Sequence, residues 1–275
     1  MTVCIAALCD GGQSCVVASD REITVGFPMN IGFEHHERKI DEVTAKSVIL
    51  SSGNALVAAE VIKRASLAIN AAGIADILQC GSTLRDTYMT LHMERAEQVF
   101  LRPRGLTLQE FKDIGAQKIP PVIYQAIDGQ FWNFCLNTDF ILAGVDASGG
   151  HIGWVHYQGV NGGGWLEWFD KHGFQAIGSG GAHAAILLCL NGQHKNLSIA
   201  HTVYNVLSAK TSAEVAPGVG PATDMAIITK DGIEYISDSD IEKLKNIRRE
   251  TYAKLATIPK ELEDMPFAKK SRKEA

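Results

Sequence analysis

The sequence predicts an α+β fold in which antiparallel sheets and helices form separate layers. Three observations indicate this class: strand patterns fill both ends of the chain, helical periodicity dominates the middle, and two helices precede the last strands. Strands grouped in runs favour antiparallel pairing, whereas parallel sheets need strands that alternate with helices. At 275 residues, the chain is long enough to bury one large core.

Short apolar runs bounded by turn residues predict the strands of the first half, at residues 2–8, 15–19, 39–43 and 47–51. The first two flank Asp10-Gly11-Gly12 and predict a hairpin. A loop over residues 26–32, rich in glycine and proline, separates them from the second pair.

Helical periodicity follows the fourth strand. Apolar residues recur at i, i+3, i+4 and i+7 from Ala55 to Ile69, which predicts an amphipathic helix. Residues 82–102 predict a second helix, and residues 106–127 predict a weaker one that two prolines interrupt.

The second half has four more strands, two helices and a closing hairpin. The predicted strands cover residues 140–145, 152–157, 165–169 and 174–177. The predicted helices cover residues 182–190 and 198–209, and the hairpin joins residues 225–229 to 233–236. We expect one domain over residues 1–237 with a helical insertion at about 95–138, followed by a charged helix and tail over 238–275.

Composition excludes several classes of protein. The net charge of −5 argues against a nucleic-acid partner. The longest apolar run is far shorter than the ~18–20 residues that cross a membrane. The first residues lack the cationic stretch of a signal peptide, and the six cysteines lack disulfide-framework spacing. The sequence therefore predicts a cytoplasmic protein with reduced thiols and no membrane partner.

The sequence does not match the common cofactor-binding and catalytic motifs. Gly178-Ser179-Gly180 lacks the third glycine of a dinucleotide loop and the first glycine of a nucleophile elbow. The pair His35-His36 lacks zinc-site spacing, so a polar loop is favoured there. No metal and no cofactor are predicted.

Thr2 is the residue that points to catalysis. The initiator methionine is normally trimmed before a small residue, and its removal would leave Thr2 with a free α-amine. Such an amine has an ordinary pKa of ~7.7–8.0, so it is partly neutral near pH 7. It can then take the proton of the Thr2 hydroxyl, and one residue supplies both base and nucleophile.

Six sequence blocks resemble the proteasome β-subunit and heat-shock-locus V peptidase family of N-terminal-nucleophile hydrolases. In order, they are TVCIAA at residues 2–7, VVASDR at 16–21, RKI at 38–40, SSGNA at 51–55, FILAGVD at 140–146 and AIGSGG at 176–181. The resemblance implies a four-layer αββα sandwich, two antiparallel sheets flanked by helices. It also implies threonine-type cleavage of peptide bonds without a metal or cofactor.

The resemblance implies a role for each of five residues. Thr2 is the expected nucleophile, and the cation of Lys39 is expected to lower the pKa of the Thr2 hydroxyl and amine. Asp20 is expected to orient Lys39. Gly53 would donate its backbone N–H to the tetrahedral oxyanion. Ser179 would hydrogen-bond near the amine.

Two further features of the resemblance concern the pocket and the amine. Ser51 and Ala55 are expected to flank the substrate side-chain pocket. The family carries an Asp, two residues and then Ser-Gly before its penultimate strand, whereas this chain has Glu214 and Pro217 in that segment. Glu214 is therefore a candidate replacement for the aspartate, and Asp224 is another candidate carboxylate.

Three hypotheses about function follow. The first is a peptide-cleaving threonine hydrolase that self-associates into a ring or stack, with an ATP-dependent unfoldase as a further partner. The second is a structural ring subunit without activity, which the retention of Thr2, Asp20 and Lys39 argues against. The third is a small-molecule amide or acyl hydrolase of the same superfamily, with the long insertion over its site.

Overall fold

A computed structural model of the protein describes residues 2–25, 31–34, 38–157 and 164–255. The contacts divide the chain into two units, Met1–Ile236 and Ser237–Ala275. The described strands all lie in the first unit. Within the described ranges, no helix combines the length and the apolar character that crossing a membrane requires.

The described residues form twelve strands and seven α-helices. The strands are β1 (Cys4–Cys9), β2 (Ser14–Asp20), β3 (Glu22–Val25), β4 (Ile31–Glu34), β5 (Ile40–Thr44), β6 (Ser47–Gly53), β7 (Thr138–Asp146), β8 (Gly149–Tyr157), β9 (Gly164–Trp168), β10 (Phe174–Ile177), β11 (Thr223–Thr229) and β12 (Gly232–Tyr235). The helices are α1 (Ala55–Ala71), α2 (Ile77–Ala96), α3 (Leu108–Lys118), α4 (Pro121–Asn133), α5 (Gly181–Leu190), α6 (Ile199–Ala213) and α7 (Asp238–Leu255).

Two antiparallel sheets of five strands each form the centre of the first unit. The first sheet has the order β10-β1-β2-β11-β12, and the second has the order β5-β6-β7-β8-β9. In the first sheet, β1 and β2 are buried along their whole length, which explains why both strands are continuously apolar or small in sequence. The two residues that precede β1, Thr2 and Val3, are buried as well.

The two sheets pack face to face and carry helices on their other faces. Leu8 and Val17 of the first sheet join Leu50 and Ile141 of the second in one buried cluster. The opposite face of the second sheet packs on α1 and α2, and α5 and α6 pack on the first sheet. The described part of the first unit is therefore an α+β sandwich of antiparallel sheets and helices.

Local sequence signals explain where the helices begin. Asn54 accepts hydrogen bonds from two backbone N–H groups of α1, and Asp76 accepts one from α2. Thr107 and Glu110 form a capping box at the start of α3. The two prolines do not simply interrupt a helix: they separate α3 from α4, because Pro121 fits the first turn of a new helix.

The structure refines several of the boundaries predicted from the sequence. The predicted loop over 26–32 is flanked and partly replaced by the two-stranded sheet β3–β4, and residues 26–30 lie outside the described ranges. Helix α2 begins at Ile77, five residues earlier than predicted, because Asp76 caps it. The expected insertion at 95–138 contains α3 and α4, which share a small apolar cluster with Leu101. In the expected tail, α7 ends at Leu255 and the remainder lies outside the described residues.

The end of β7 is tied to the start of α2 by Asp146. Its carboxylate accepts hydrogen bonds from the Ile77 backbone N–H at 2.9 Å and from Ser148, and it lies 3.4 Å from His151 Nε2. Burial alone would raise the pKa of Asp146, but these hydrogen bonds and His151 bring it down to about 2.

We expect Asp146→Asn to remove part of the acid sensitivity of folding. The depressed pKa makes the carboxylate stabilising above its usual pKa of 3.8, and this stability is lost as pH falls towards 2. Urea unfolding at pH 5 and pH 2.5 should show the wild type losing about 2 kcal/mol more than the variant over this range. Equal losses in both proteins would contradict this role of Asp146.

Candidate active site

Thr2 lies two residues before the start of β1 and is almost completely buried. Its hydroxyl donates a hydrogen bond to Asp20 Oδ1 and accepts one from Lys39 Nζ at 2.7 Å. The three residues come from different segments of the chain, and the pairing of β1 with β2 brings the first two together. The structure therefore brings together Thr2, Asp20 and Lys39, the three residues for which the sequence predicts the roles of nucleophile, carboxylate and cation.

Asp20 is the centre of this arrangement and is fully buried. Besides Thr2 and Lys39, its Oδ1 accepts from the Val3 backbone N–H at 3.0 Å. Its Oδ2 accepts from the backbone N–H groups of Glu22 at 3.0 Å and Gly220 at 3.4 Å. A buried carboxylate is stable in the protein interior only with such donors and a nearby cation.

Lys39 reaches the site from the segment before β5. Its Nζ lies 3.1 Å from Asp20 Oδ1 and also donates to the carbonyl oxygen of Glu22. The compact ammonium thus has three oxygen partners, which matches its three donors. A cation at 2.7 Å from the Thr2 hydroxyl favours negative charge on that oxygen.

The turn between β10 and α5 holds the backbone of Thr2. The Thr2 nitrogen donates to Ser179 Oγ at 3.2 Å, and the Gly180 N–H donates to the Thr2 carbonyl at 3.1 Å. Gly178 has a φ of +90°, and a Cβ there would lie 2.3 Å from the Thr2 carbonyl oxygen. Only glycine fits this close approach, so the turn fixes the position of Thr2.

Gly53 ends β6 on the other side of the site. Its φ is +102°, and an added Cβ would lie 2.0 Å from the carbonyl oxygen of Asn137. Asn137 itself has a positive φ of 52°, and its carbonyl accepts from the Asn54 N–H at 3.0 Å. The residues before β7 therefore close tightly over Gly53.

A cavity of about 330 Å³ opens beside Thr2. It is lined by Thr2, Ser52, Gly53, Cys135, Asn137, Thr138, Asp139, Gly178 and Ser179. The cavity thus brings three of the predicted catalytic residues together with a segment at the end of the insertion. Such a cavity beside a buried hydroxyl can accept a small group of a bound substrate.

The two predicted pocket residues do not line this cavity. Ser51 precedes Ser52 on β6, so its side chain has the opposite orientation, and its carbonyl accepts from Cys4 Sγ at 3.3 Å. Ala55 is exposed at the start of α1. Burial raises the pKa of Cys4 to about 12, so this thiol stays neutral beside Thr2.

The two candidate carboxylates of the amine network lie elsewhere. Glu214 pairs with Lys210 Nζ at 2.8 Å, and Asp224 accepts from Arg21 at 2.7 Å. Among the described residues, neither carboxylate hydrogen-bonds Thr2 or Ser179. Instead, Ser179 Oγ donates a hydrogen bond to the carbonyl oxygen of Pro217 at 3.1 Å.

Sequence reasoning missed Lys210 and the segment before β7. Lys210 is fully buried in α6 and donates to the Gly220 carbonyl at 2.6 Å, while the Gly220 N–H reaches Asp20. A lysine in a helix is usually exposed, so only its i, i+4 spacing from Glu214 offered a signal. Asn137 and Asp139 gave none, because their position depends on the pairing of β6 with β7.

Comparison with protein-family models and with curated protein sequences finds no match to this chain. In the ranges that the structure describes, no group of three or more His, Cys, Asp or Glu side chains could hold a metal ion. His35 and His36 lie outside these ranges.

We expect Gly53→Ala to destabilise the protein more than Gly73→Ala. Both glycines have positive φ, so alanine brings about 1–2 kcal/mol of backbone strain at each. Gly73 has open space around an added Cβ, whereas Gly53 meets the Asn137 carbonyl. Urea unfolding measures the free energy of unfolding of both variants. Equal decreases would show that the segment before β7 moves away from the added Cβ without cost.

We expect Lys210→Met to destabilise the loop over residues 214–220. The variant leaves the Gly220 carbonyl without its donor, which costs about 1–3 kcal/mol when the group is buried. Lys243→Met is the matched control, because Lys243 forms an exposed pair with Asp240. Urea unfolding should show a lower free energy of unfolding for Lys210→Met and an unchanged value for Lys243→Met. An unchanged value for Lys210→Met would show that Lys210 does not stabilise the loop.

Proposed function

We propose that the protein is a threonine-type hydrolase that cleaves peptide or other amide bonds, with Thr2 as nucleophile after removal of Met1. The observation that carries this proposal is the contact of the Thr2 hydroxyl with both Asp20 and Lys39. A buried hydroxyl between a carboxylate and a cation, beside an open cavity, is suited to nucleophilic attack.

The mechanism follows from these contacts. Thr2 Oγ1 attacks the scissile carbonyl, and its proton leaves the hydrogen bond to Asp20 and passes to the α-amine that removal of Met1 creates. The nitrogen of Thr2 lies 3.2 Å from Ser179 Oγ, which positions this amine. Lys39 stabilises the developing negative charge on Oγ1, and Asp20 keeps Lys39 in place. The amine then gives its proton to the leaving group, and an acyl ester on Thr2 forms.

Hydrolysis of the ester completes the cycle. A water molecule that loses its proton to the same amine attacks the ester carbonyl. The bond between the acyl carbon and Thr2 Oγ1 breaks, the amine returns the proton to Oγ1, and the carboxylic acid product leaves. We assign Gly53 the role of oxyanion donor, which is supported by its place in the wall of the cavity beside Thr2. Such a donor contributes about 2.7–4 kcal/mol to transition-state stabilisation.

We infer that the fold is the αββα sandwich of N-terminal-nucleophile hydrolases. Support comes from the two facing five-stranded sheets and from the helices on their outer faces. Assembly into a ring or stack, and a partnership with an ATP-dependent unfoldase, stay predictions from the resemblance.

We expect the intact protein to lack Met1 and its activity to depend on Thr2. Intact mass spectrometry of the protein isolated from its native cells should give a mass lower by one methionine. Cleavage of internally quenched peptides should be lost in Thr2→Ala by at least a hundredfold and retained in part in Thr2→Ser, which keeps a hydroxyl nucleophile.

Thr251→Ala is the control for this experiment, because Thr251 is exposed in α7. Retention of Met1, or peptide cleavage that survives in Thr2→Ala, would reject the proposal. With Met1 removed, cleavage of small acyl amides but not of peptides would favour the small-molecule hydrolase. Absence of both activities would favour the structural subunit.

A further inference from the structure

Asp139 is the acidic residue in the cavity beside Thr2. It lies on β7 and pairs with Ser52 of β6. Its neighbour Phe140 packs towards α2, whereas Ile141 packs between the two sheets. Because side chains alternate along a strand, Asp139 shares the face of Ile141, which is the face turned towards the first sheet and Thr2.

The carboxylate of Asp139 has no hydrogen-bond or ion-pair partner among the residues that the structure describes. It is half-buried, and burial raises its pKa, while His156 on β8 acts in the opposite direction. No lysine or arginine of the described ranges lines the cavity. A carboxylate in such a place lacks the donor that would compensate its loss of water.

Other carboxylates near the site have the cationic partner that Asp139 lacks. Three of them, all buried or half-buried, have a cationic partner: Asp20 has Lys39, Asp224 has Arg21, and Glu214 has Lys210. Asp139 therefore differs from them in having no lysine or arginine partner among the described residues. A positively charged group that enters the cavity would supply the missing charge and donors.

We propose that the cavity beside Thr2 binds a cationic group of the substrate, of the lysine or arginine type, through the carboxylate of Asp139. This inference rests on the proposed function, because it assigns a substrate class to the same site. The remaining lining contributes hydroxyl and amide groups, from Ser52, Asn137 and Ser179, that can accept further hydrogen bonds from an ammonium or guanidinium.

Asp139 does not serve as the carboxylate that orients the Thr2 nitrogen. That nitrogen donates to Ser179 Oγ, and Asp139 makes no hydrogen bond to it. The two roles have different consequences, because a residue that orients the amine affects every substrate alike. A residue that binds a cationic group affects basic substrates selectively.

A binding measurement tests the cation site without relying on activity. Benzamidine and its neutral analogue benzamide have similar shapes, so calorimetric titration of both isolates the contribution of charge. We expect benzamidine to bind the wild type at least tenfold more tightly than benzamide, and Asp139→Asn to remove this difference. Asp113→Asn, a change of the same kind in exposed residue Asp113 of α3, should leave it unchanged.

A kinetic measurement tests the same site during turnover. Internally quenched peptides carry lysine or its neutral counterpart norleucine on either side of the scissile bond. We expect Asp139→Asn to lower kcat/KM at least tenfold for the better lysine peptide and to leave the norleucine peptides within about twofold. The side on which lysine is preferred identifies whether the acyl or the leaving group enters the cavity.

The outcomes separate this proposal from the proposed function. Equal binding of benzamidine and benzamide, or selectivity that persists in Asp139→Asn, overturns the cation site even if cleavage depends on Thr2. Equal losses on lysine and norleucine peptides also overturn it. Selective benzamidine binding without Thr2-dependent cleavage supports the cation site and rejects the hydrolase.

Discussion

The site depends on the burial of one carboxylate, that of Asp20. It accepts hydrogen bonds from three backbone N–H groups, the Thr2 hydroxyl and the Lys39 ammonium. An ionised carboxylate offers about four lone-pair positions, so this acceptor is saturated. The donors belong to the residues before β1, the start of β3, the segment before β5 and the loop before β11. Asp20 therefore fixes the relative positions of four segments at once.

The loop before β11 connects the Asp20 carboxylate to a second internal ion pair. The Gly220 N–H binds Asp20 while its carbonyl accepts from buried Lys210, so the loop connects two internal ion pairs. Glu214 completes the second pair from the end of α6. The Pro217 carbonyl of the same loop lies within hydrogen-bond distance of Ser179. A buried cation behind the loop thus supports the environment of Thr2 from a position that touches neither Thr2 nor Ser179.

The sequence alone was sufficient to predict most strands and helices and the grouping of Thr2, Asp20 and Lys39. Short apolar runs located most strands, and helical periodicity located the helices. Thr2, Asp20 and Lys39 lie together, as the resemblance implied. The positions of the other residues near the site depend on contacts between segments that are distant in sequence. Asp139 reaches the cavity only because β7 pairs with β6, and Glu214 turns to Lys210 because the i, i+4 geometry of a helix end favours that pair.

Among the described carboxylates near the site, those of Asp20, Asp224 and Glu214 have a cationic partner, and that of Asp139 does not. A carboxylate that loses water on folding is stable when a cation takes the place of the water, and the aspartates beside Lys39 and Arg21 satisfy this condition. Asp139 has no such partner among the described residues, and burial raises its pKa although His156 acts in the opposite direction. Replacement of Asp139 by a neutral side chain would relieve this cost in the free protein. Its position in the wall of the cavity is therefore better explained by a bound cationic group than by folding stability.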